Sequence, residues 1–158
     1  MDLRNECEKY REKFSVYPDV IIVDSLDLLT DSSRKSWDTN GLRLKRIAVA
    51  QDLKDLAGEI GAWVVATYQA TVENPEWVND EKNVLTAFNT SECKGLQRPC
   101  THFISLNQSK NEYNESIMRI YVDKFRFCKK RDAFRIAIDY EHERFYDRER
   151  TLNLPNNN

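Results

Sequence analysis

Glycine is scarce in this chain. The 158 residues include four glycines, none of which precedes a lysine. The sequence therefore contains no GxxxxGK[ST] loop, whose backbone N–H groups would cradle phosphates. It also has no run of about 18 apolar residues, the length that a membrane-spanning helix needs. The N-terminal segment lacks the apolar core of a signal peptide. We expect a cytoplasmic protein with no membrane contact.

Cysteine pairs of the CxxC kind are missing as well. Cys93, Cys100, His102 and Cys128 could converge on a zinc ion only with an unusual spacing, so reduced thiols in a cytosolic protein are the simpler interpretation. The formal net charge of −2 excludes a globally basic protein, and any nucleic-acid contact must come from local patches.

Composition is that of an ordinary folded domain, with 41% hydrophobic and 32% charged residues. A chain of this length is sufficient for one core. We expect a single domain over residues 1–150 and a flexible tail over 151–158, where proline and asparagine end the chain.

Hydrophobic periodicity predicts an α/β fold. Apolar residues at helical spacing predict amphipathic helices over 2–14 and 42–60, with Gly58 and Gly61 ending the second. Short apolar runs predict strands at Val20–Val23 and 62–69. This helix–strand–helix–strand order favours parallel strands.

The rest of the chain has a different character. Alternating apolar and polar residues over 117–127 and 133–140 predict an antiparallel β-hairpin, with a short added strand over 143–146. A third strand is expected over 101–106. The intervening segments are predicted to be irregular or partly helical (71–100) or polar loops (30–41 and 107–114).

The stretch Val20-Ile21-Ile22-Val23-Asp24-Ser25 organises the chain. Four β-branched residues are typical of a strand buried on both faces, and they deliver a carboxylate to the carboxyl edge of the sheet. In nucleotide-binding α/β folds that edge carries the ligand, and an acid there can hold Mg²⁺. By itself the pattern is weak, because an Asp at a strand end is often a turn former or a helix cap.

Four blocks occur in a fixed order and together resemble the second half of a RecA-type ATPase core, in the replicative-helicase (DnaB-like) branch. The match covers most of residues 3–147. The first block, at 18–29, resembles the Walker B strand. The second, at 53–69, resembles the helix and strand that end in a sensor glutamine. The third, at 91–106, resembles the channel loop. The fourth resembles the hairpin that carries a Lys-x-Arg pair, and it lies at 121–145.

The resemblance implies ATP and Mg²⁺ as cofactors. It places Asp24 as the Mg²⁺ carboxylate, Ser25 beside the nucleotide, and Gln69 as the residue that senses the γ-phosphate. Lys124 and Arg126 would reach into the ATP site of a neighbouring subunit, with Arg126 as the arginine finger. Separated by two positions, they would share one strand face. Taken individually, these residues are also typical of a solvated surface.

The resemblance further implies single-stranded DNA in the channel of a hexameric ring. Lys94 and Gly95 would let the backbone approach a phosphate. Basic residues near the channel would add phosphate contacts, among them Lys45 and Arg46. The DNA-binding residues are then expected to be Arg34, Lys35, Arg43, Glu92, Lys94 and Gly95.

The missing phosphate loop limits this interpretation. We expect the chain to need a P-loop half, meaning the part of such a core that carries GxxxxGK[ST] and the catalytic glutamate, supplied from upstream in the same gene or as a separate polypeptide. Without it, two apolar strand edges are left unpaired. Alone the chain is expected to be inactive. Two alternatives are a non-catalytic RecA-like docking module and a fragment of a RecA-type recombination ATPase. A bacterial or phage-infected cell is the expected setting.

Overall fold

The computed structural model describes residues 2–29, 39–72, 74–90, 93, 95–127 and 131–147, with the side chains of 39, 40 and 42 excepted. The predicted tail over 151–158 lies outside these residues. Two units divide the chain. The first unit comprises Met1–Gln69 with Thr90–Cys100, and the second comprises Ala70–Asn89 with Thr101–Asn158. Within the described helices, none is long and apolar enough to cross a membrane.

Helix α1 (Leu3–Phe14) opens the first unit, as predicted. The carboxylate of Asp2 accepts a hydrogen bond from the backbone N–H of Arg4, which satisfies one of the helix's unpaired donors. Ser15 ends the helix in the left-handed region at φ 62°. Its backbone N–H donates to the carbonyl of Arg11 over 2.7 Å, so both ends of α1 are determined locally.

The first sheet consists of two parallel strands, β1 (Val20–Val23) and β2 (Trp63–Ala66). Both strands and their direction were predicted. The expectation that β1 is buried on both faces is wrong for the described chain. Ile21 and Val23 are buried, but Ile22 is 74% exposed and Trp63 of β2 is 72% exposed. Only one face of this sheet is covered.

Helix α2 (Thr39–Ile60) supplies much of that cover. It begins three residues before the predicted start, so the end of the predicted 30–41 loop is helical, while 30–38 lies outside the described residues. Gly58 is inside the helix, and Gly61, at φ 72°, follows its last residue. The buried apolar side chains include Leu26, Val49, Leu53 and Leu56.

The second unit contains helix α3 (Pro75–Asn79) and a four-stranded antiparallel sheet in the order β3-β4-β5-β6. The hairpin and its added strand were predicted. The strands are β3 (His102–Asn107), β4 (Ile117–Phe125), β5 (Asp132–Asp139) and β6 (Arg144–Tyr146). A register shift between Phe103 and Ile104 marks an irregularity in the β3–β4 pairing.

The prediction of a polar loop over 107–114 is wrong. Asn107 closes β3, and Lys110–Asn114 form helix α4. Ser109 and Glu112 make a capping box, in which each side chain accepts a hydrogen bond from the other residue's backbone N–H. Two donors at the helix start are satisfied in this way, and this helps a helix of five residues to form among polar side chains.

Candidate functional site

The carboxyl ends of β1 and β2 form the candidate site. The strands pair in register from Val20 with Trp63 to Val23 with Ala66. The next residues are therefore neighbours, and the Thr67 hydroxyl donates to Asp24 Oδ1 over 2.6 Å. The backbone continues the pairing, because the Thr67 N–H donates to the carbonyl of Val23 and the Leu26 N–H to that of Thr67.

Three predicted nucleotide residues flank this edge. Asp24 is exposed, and Gln69 is exposed three residues beyond the end of the neighbouring strand β2. Ser25 is half-buried and precedes the 3₁₀ turn Leu26–Leu28, to which its side chain gives no capping hydrogen bond. The structure thus brings Asp24 and Thr67, 43 residues apart in the sequence, to the same edge of one sheet, and the role of Gln69 there stays a prediction.

This edge suits a Mg²⁺ ion that keeps most of its water. An exposed carboxylate and a hydroxyl are hard oxygen groups of the kind that Mg²⁺ prefers, and Mg²⁺ sites usually use few protein ligands. Among the described residues no group of three or more His, Cys, Asp or Glu side chains could hold a metal ion. Thr67 is a polar partner of Asp24 that the sequence did not single out, although its position at the end of an apolar strand was a usable signal.

A charged and aromatic contact joins α2 to the same edge. The Arg46 guanidinium lies 3.6 Å from the Asp27 carboxylate and 5.6 Å from the centre of the Tyr68 ring. Arg46 was expected to contact DNA phosphates, but here it bridges the turn after β1 and the residue before Gln69. The contact ties the helix to both strand ends.

Two described residues of the predicted DNA-contact loop, Cys93 and Gly95, lie against the first half of α2. Cys93 is almost fully buried, and its thiol donates to the carbonyl of Arg43 over 3.6 Å. Burial raises the pKa of this thiol above its ordinary value, so it stays protonated at neutral pH. The loop and the exposed Arg43, 50 residues apart, are therefore brought together.

Gly95 has a packing role in this contact. A Cβ at this position would lie 2.7 Å from Cδ1 of Ile47 on α2. The missing side chain therefore leaves room for Ile47, whereas the resemblance predicted that it leaves room for a DNA phosphate. Arg34, Lys35, Glu92 and Lys94, the remaining predicted DNA-binding residues, lie outside the described residues.

The predicted trans-acting pair lies at the end of β4. Lys124 is half-buried in the strand, but the strand ends at Phe125. Arg126 follows it, exposed, and its backbone N–H donates to the carbonyl of Thr101 over 3.0 Å. This bond continues the β3–β4 pairing by one residue, and the expectation that both side chains share one strand face stays a prediction. Exposed Phe127 meets the Phe125 ring edge-on, with the centroids 6.2 Å apart.

No family model matches the sequence, and no curated protein shows significant similarity to it. Solved structures do match its fold. One, described as an ATPase domain, superposes with a TM-score of 0.72 at 17% identity and covers 92% of this chain. Another, a DnaB-like replicative helicase described with its primase interactions, gives a TM-score of 0.68 at 17% identity over 91% of the chain. The chain shares the fold of DnaB-like helicase ATPase domains.

Length separates the chain from these two structures. It spans 50% of the matched ATPase-domain chain and 34% of the replicative-helicase chain. The prediction of a RecA-like fold with the DnaB-like resemblance is confirmed at the level of fold. Identity of this size establishes the fold alone, and fold does not by itself determine activity.

Proposed function

We propose that this chain is part of the ATP-driven motor of a DnaB-like DNA helicase, acting on single-stranded DNA during replication in the cytoplasm of a bacterial or phage-infected cell. The observation that carries the proposal is the hydrogen bond between Asp24 and Thr67 at the carboxyl edge of a parallel strand pair, with Gln69 two residues after Thr67, in a chain with a DnaB-like fold. A carboxylate and an uncharged amide at such an edge match the needs of a nucleotide site.

Each residue at this edge has a distinct chemical role. Asp24, which accepts a hydrogen bond from the Thr67 hydroxyl, would hold Mg²⁺, and Ser25 is the next residue in the chain. Gln69 donates its amide N–H to a phosphate oxygen and positions the attacking water with its carbonyl oxygen. Bound MgATP supplies the phosphoryl group and the metal charge that offsets it.

The second unit would serve a neighbouring subunit. Arg126 is exposed in the turn after β4, and a planar guanidinium suits the charge that develops on a transferring phosphoryl group. Lys124 adds a second positive charge in the same segment. Such action in trans requires an oligomer, and we propose a homo-hexameric ring.

The DNA contact is proposed for the loop that packs on α2. Arg43 is exposed beside this loop and would neutralise phosphates in a salt-dependent manner, together with Arg34, Lys35 and Lys94. Glu92 and Gly95 belong to the same proposed surface. Backbone N–H groups near Gly95 would add sequence-independent contacts.

A P-loop half is required for turnover, because the sequence has no GxxxxGK[ST]. The test mixes the full chain with a polypeptide that carries this motif, the proposed P-loop half, and measures ATP hydrolysis. We expect no turnover by either chain alone and turnover by the mixture.

Two matched pairs of variants assign the residues in that mixture. Asp24→Asn should lower the rate by about 100-fold, whereas Asp19→Asn, at the opposite end of β1, should leave it unchanged. Arg126→Ala should lower it by about 1,000-fold, whereas Arg131→Ala on the same hairpin should not. Equal rates within either pair would refute that assignment.

A non-catalytic docking module is the second candidate, favoured by the missing phosphate loop. It predicts that the two chains bind each other or DNA without hydrolysis. Complex formation with no turnover above that of the P-loop half alone would support this function over the motor.

A further inference from the structure

The four-stranded sheet of the second unit is polar on its buried face. Because facing residues in paired strands share a side of the sheet, the register places Asn107, Arg119 and Arg135 together on one face. Ser105, Asn107, Arg119 and Asp123 are buried there. Polar groups are therefore enclosed on the side where a sheet usually places hydrocarbon.

This chain supplies the cover for that polar face. The Arg119 guanidinium donates to Glu112 of α4 and to the carbonyls of Glu81 and Asn83, each over 2.6 Å. The Leu85 N–H donates to the Asn107 side chain, and the Ala87 N–H to Asp123. The buried polar groups are thus paired within the unit, as burial requires.

The opposite face is apolar, and within the described residues it is largely exposed. The register places Leu106, Ile120 and Phe134 side by side across three strands, and alternation along the strands adds further apolar side chains. Four residues of this face are 50–58% exposed. The apolar sheet face is defined by Ile104, Leu106, Ile120, Phe134, Ile136 and Phe145.

We propose that the apolar sheet face is the surface on which the P-loop half docks. Contiguous apolar area of this kind is unusual on a soluble surface and marks an interaction site. The matched ATPase domain indicates the occupant, since this chain covers only 50% of it and about as much polypeptide has no counterpart here. The first sheet also leaves one face open, with Ile22 and Trp63 exposed, so each sheet lacks a covering layer.

The identity of the occupant rests on the proposed function, but the docking does not require hydrolysis. The partner segment should present an apolar stripe, because an amphipathic helix or strand is the element that covers such a face. A second copy of this chain is the competing occupant.

The experiment uses isothermal titration calorimetry to measure binding of the full chain to the P-loop half, the polypeptide that carries GxxxxGK[ST]. Leu106→Asp and Phe134→Asp should each weaken the complex by about tenfold or more. Phe88→Asp is the matched control, because Phe88 is also exposed but lies in the segment that covers the polar face. It should leave the affinity unchanged. Hydrogen exchange should show new protection in β3 and β5 on binding.

The proposal would be overturned by unchanged affinity in both face variants or by no binding between the two chains. It would also be overturned if the isolated chain forms a dimer in sedimentation that Phe134→Asp abolishes, while the same substitution leaves the complex unaffected. The last result assigns the face to a second copy. A complex that forms through this face but hydrolyses no ATP removes the motor function and leaves the docking intact. Normal ATP turnover by the mixtures that contain either face variant removes the docking and leaves the motor function intact.

Discussion

The two units of this chain fill their interiors with different chemistry. Buried residues of the first unit are mostly hydrocarbon side chains and thiols. Those on the second unit's sheet are mostly polar, and the buried residues of that unit include Ser105, Asn107, Ser109, Glu112, Arg119 and Asp123. Apolar contacts are non-directional and tolerate volume-conserving changes, whereas a buried polar group must keep its partner. The first interior should therefore accept conservative substitutions that the second does not.

The largest expected effect is the loss of Arg119. Its side chain is 5% exposed and that of its partner Glu112 is 2% exposed. Arg119→Ala removes the buried cation that pairs with the Glu112 carboxylate and should cost about 3–5 kcal/mol, measured by urea unfolding with hydrogen exchange resolving the second unit. Arg135→Ala is the control, because this half-exposed arginine lies 3.9 Å from the same carboxylate. Its loss should cost less than about 1 kcal/mol. Equal losses would contradict the difference in burial.

Removing a side chain from the apolar interior tests the other half of the comparison. Leu56, on α2, is 4% exposed, and Leu56→Ala should destabilise the first unit by about 2–5 kcal/mol through lost burial and a cavity. Leu56→Met should cost less than about 1.5 kcal/mol. Arg119→Lys, equally conservative by charge, should cost more than Leu56→Met, because lysine does not reproduce the fork of three hydrogen bonds. Equal costs would mean that the two interiors respond alike, and the reverse order would mean that the apolar interior is the less tolerant of the two.

Two adjacent residues sharpen the contrast between the faces of the second sheet. Asn107 is buried, accepts from the Leu85 N–H and donates to Ser105, whereas Leu106 is exposed on the apolar sheet face. Asn107→Ala should cost about 1 kcal/mol or more, because it removes a buried amide and leaves the part-buried Leu85 N–H without its acceptor. Leu106→Ala should change the stability of the isolated chain by about 0.5 kcal/mol or less. Unfolding by urea compares them directly. The polar side chain of Asn107 would then stabilise the isolated chain more than the apolar side chain of Leu106 does. A larger loss of stability in Leu106→Ala than in Asn107→Ala would contradict this.

The sequence was sufficient for much of the framework. Four apolar residues before Asp24 and the run before Gln69 predicted the two parallel strands, and strand ends in a parallel pair meet at one edge by geometry. Alternation predicted the hairpin in the same way. These signals are local, so a single chain carries them.

Other features depend on contacts between distant segments. Helix α4 has too few residues to show a 3.6-residue period, although Ser109 and Glu112 carried its capping signal. Arg119 occupies a strand position that pattern alone assigns to solvent, and its burial depends on Glu112 and on carbonyls more than 30 residues away. The role of Gly95 likewise required knowing where Ile47 lies.

The smallest expected effect is a pH dependence confined to the second unit. Burial alone would raise the pKa of Glu112, but the Ser109 N–H and the Arg119 guanidinium together hold it below its ordinary value. A lowered carboxyl pKa contributes stability that is present above the unfolded value of about 4.3 and is lost as pH falls through the folded value. Protonation keeps the packing, so the loss should be smaller than that of Arg119→Ala.

Unfolding free energies of the wild type and Glu112→Gln, measured between neutral pH and about pH 3, test this. Their difference should shrink as pH falls, because the wild type alone loses the carboxylate. Hydrogen exchange should place the change in β4 and α4, since the buried apolar cluster of the first unit includes no carboxylate. A constant difference would mean that the Glu112 charge does not support the polar interior. The second unit would then depend on hydrogen-bond geometry alone.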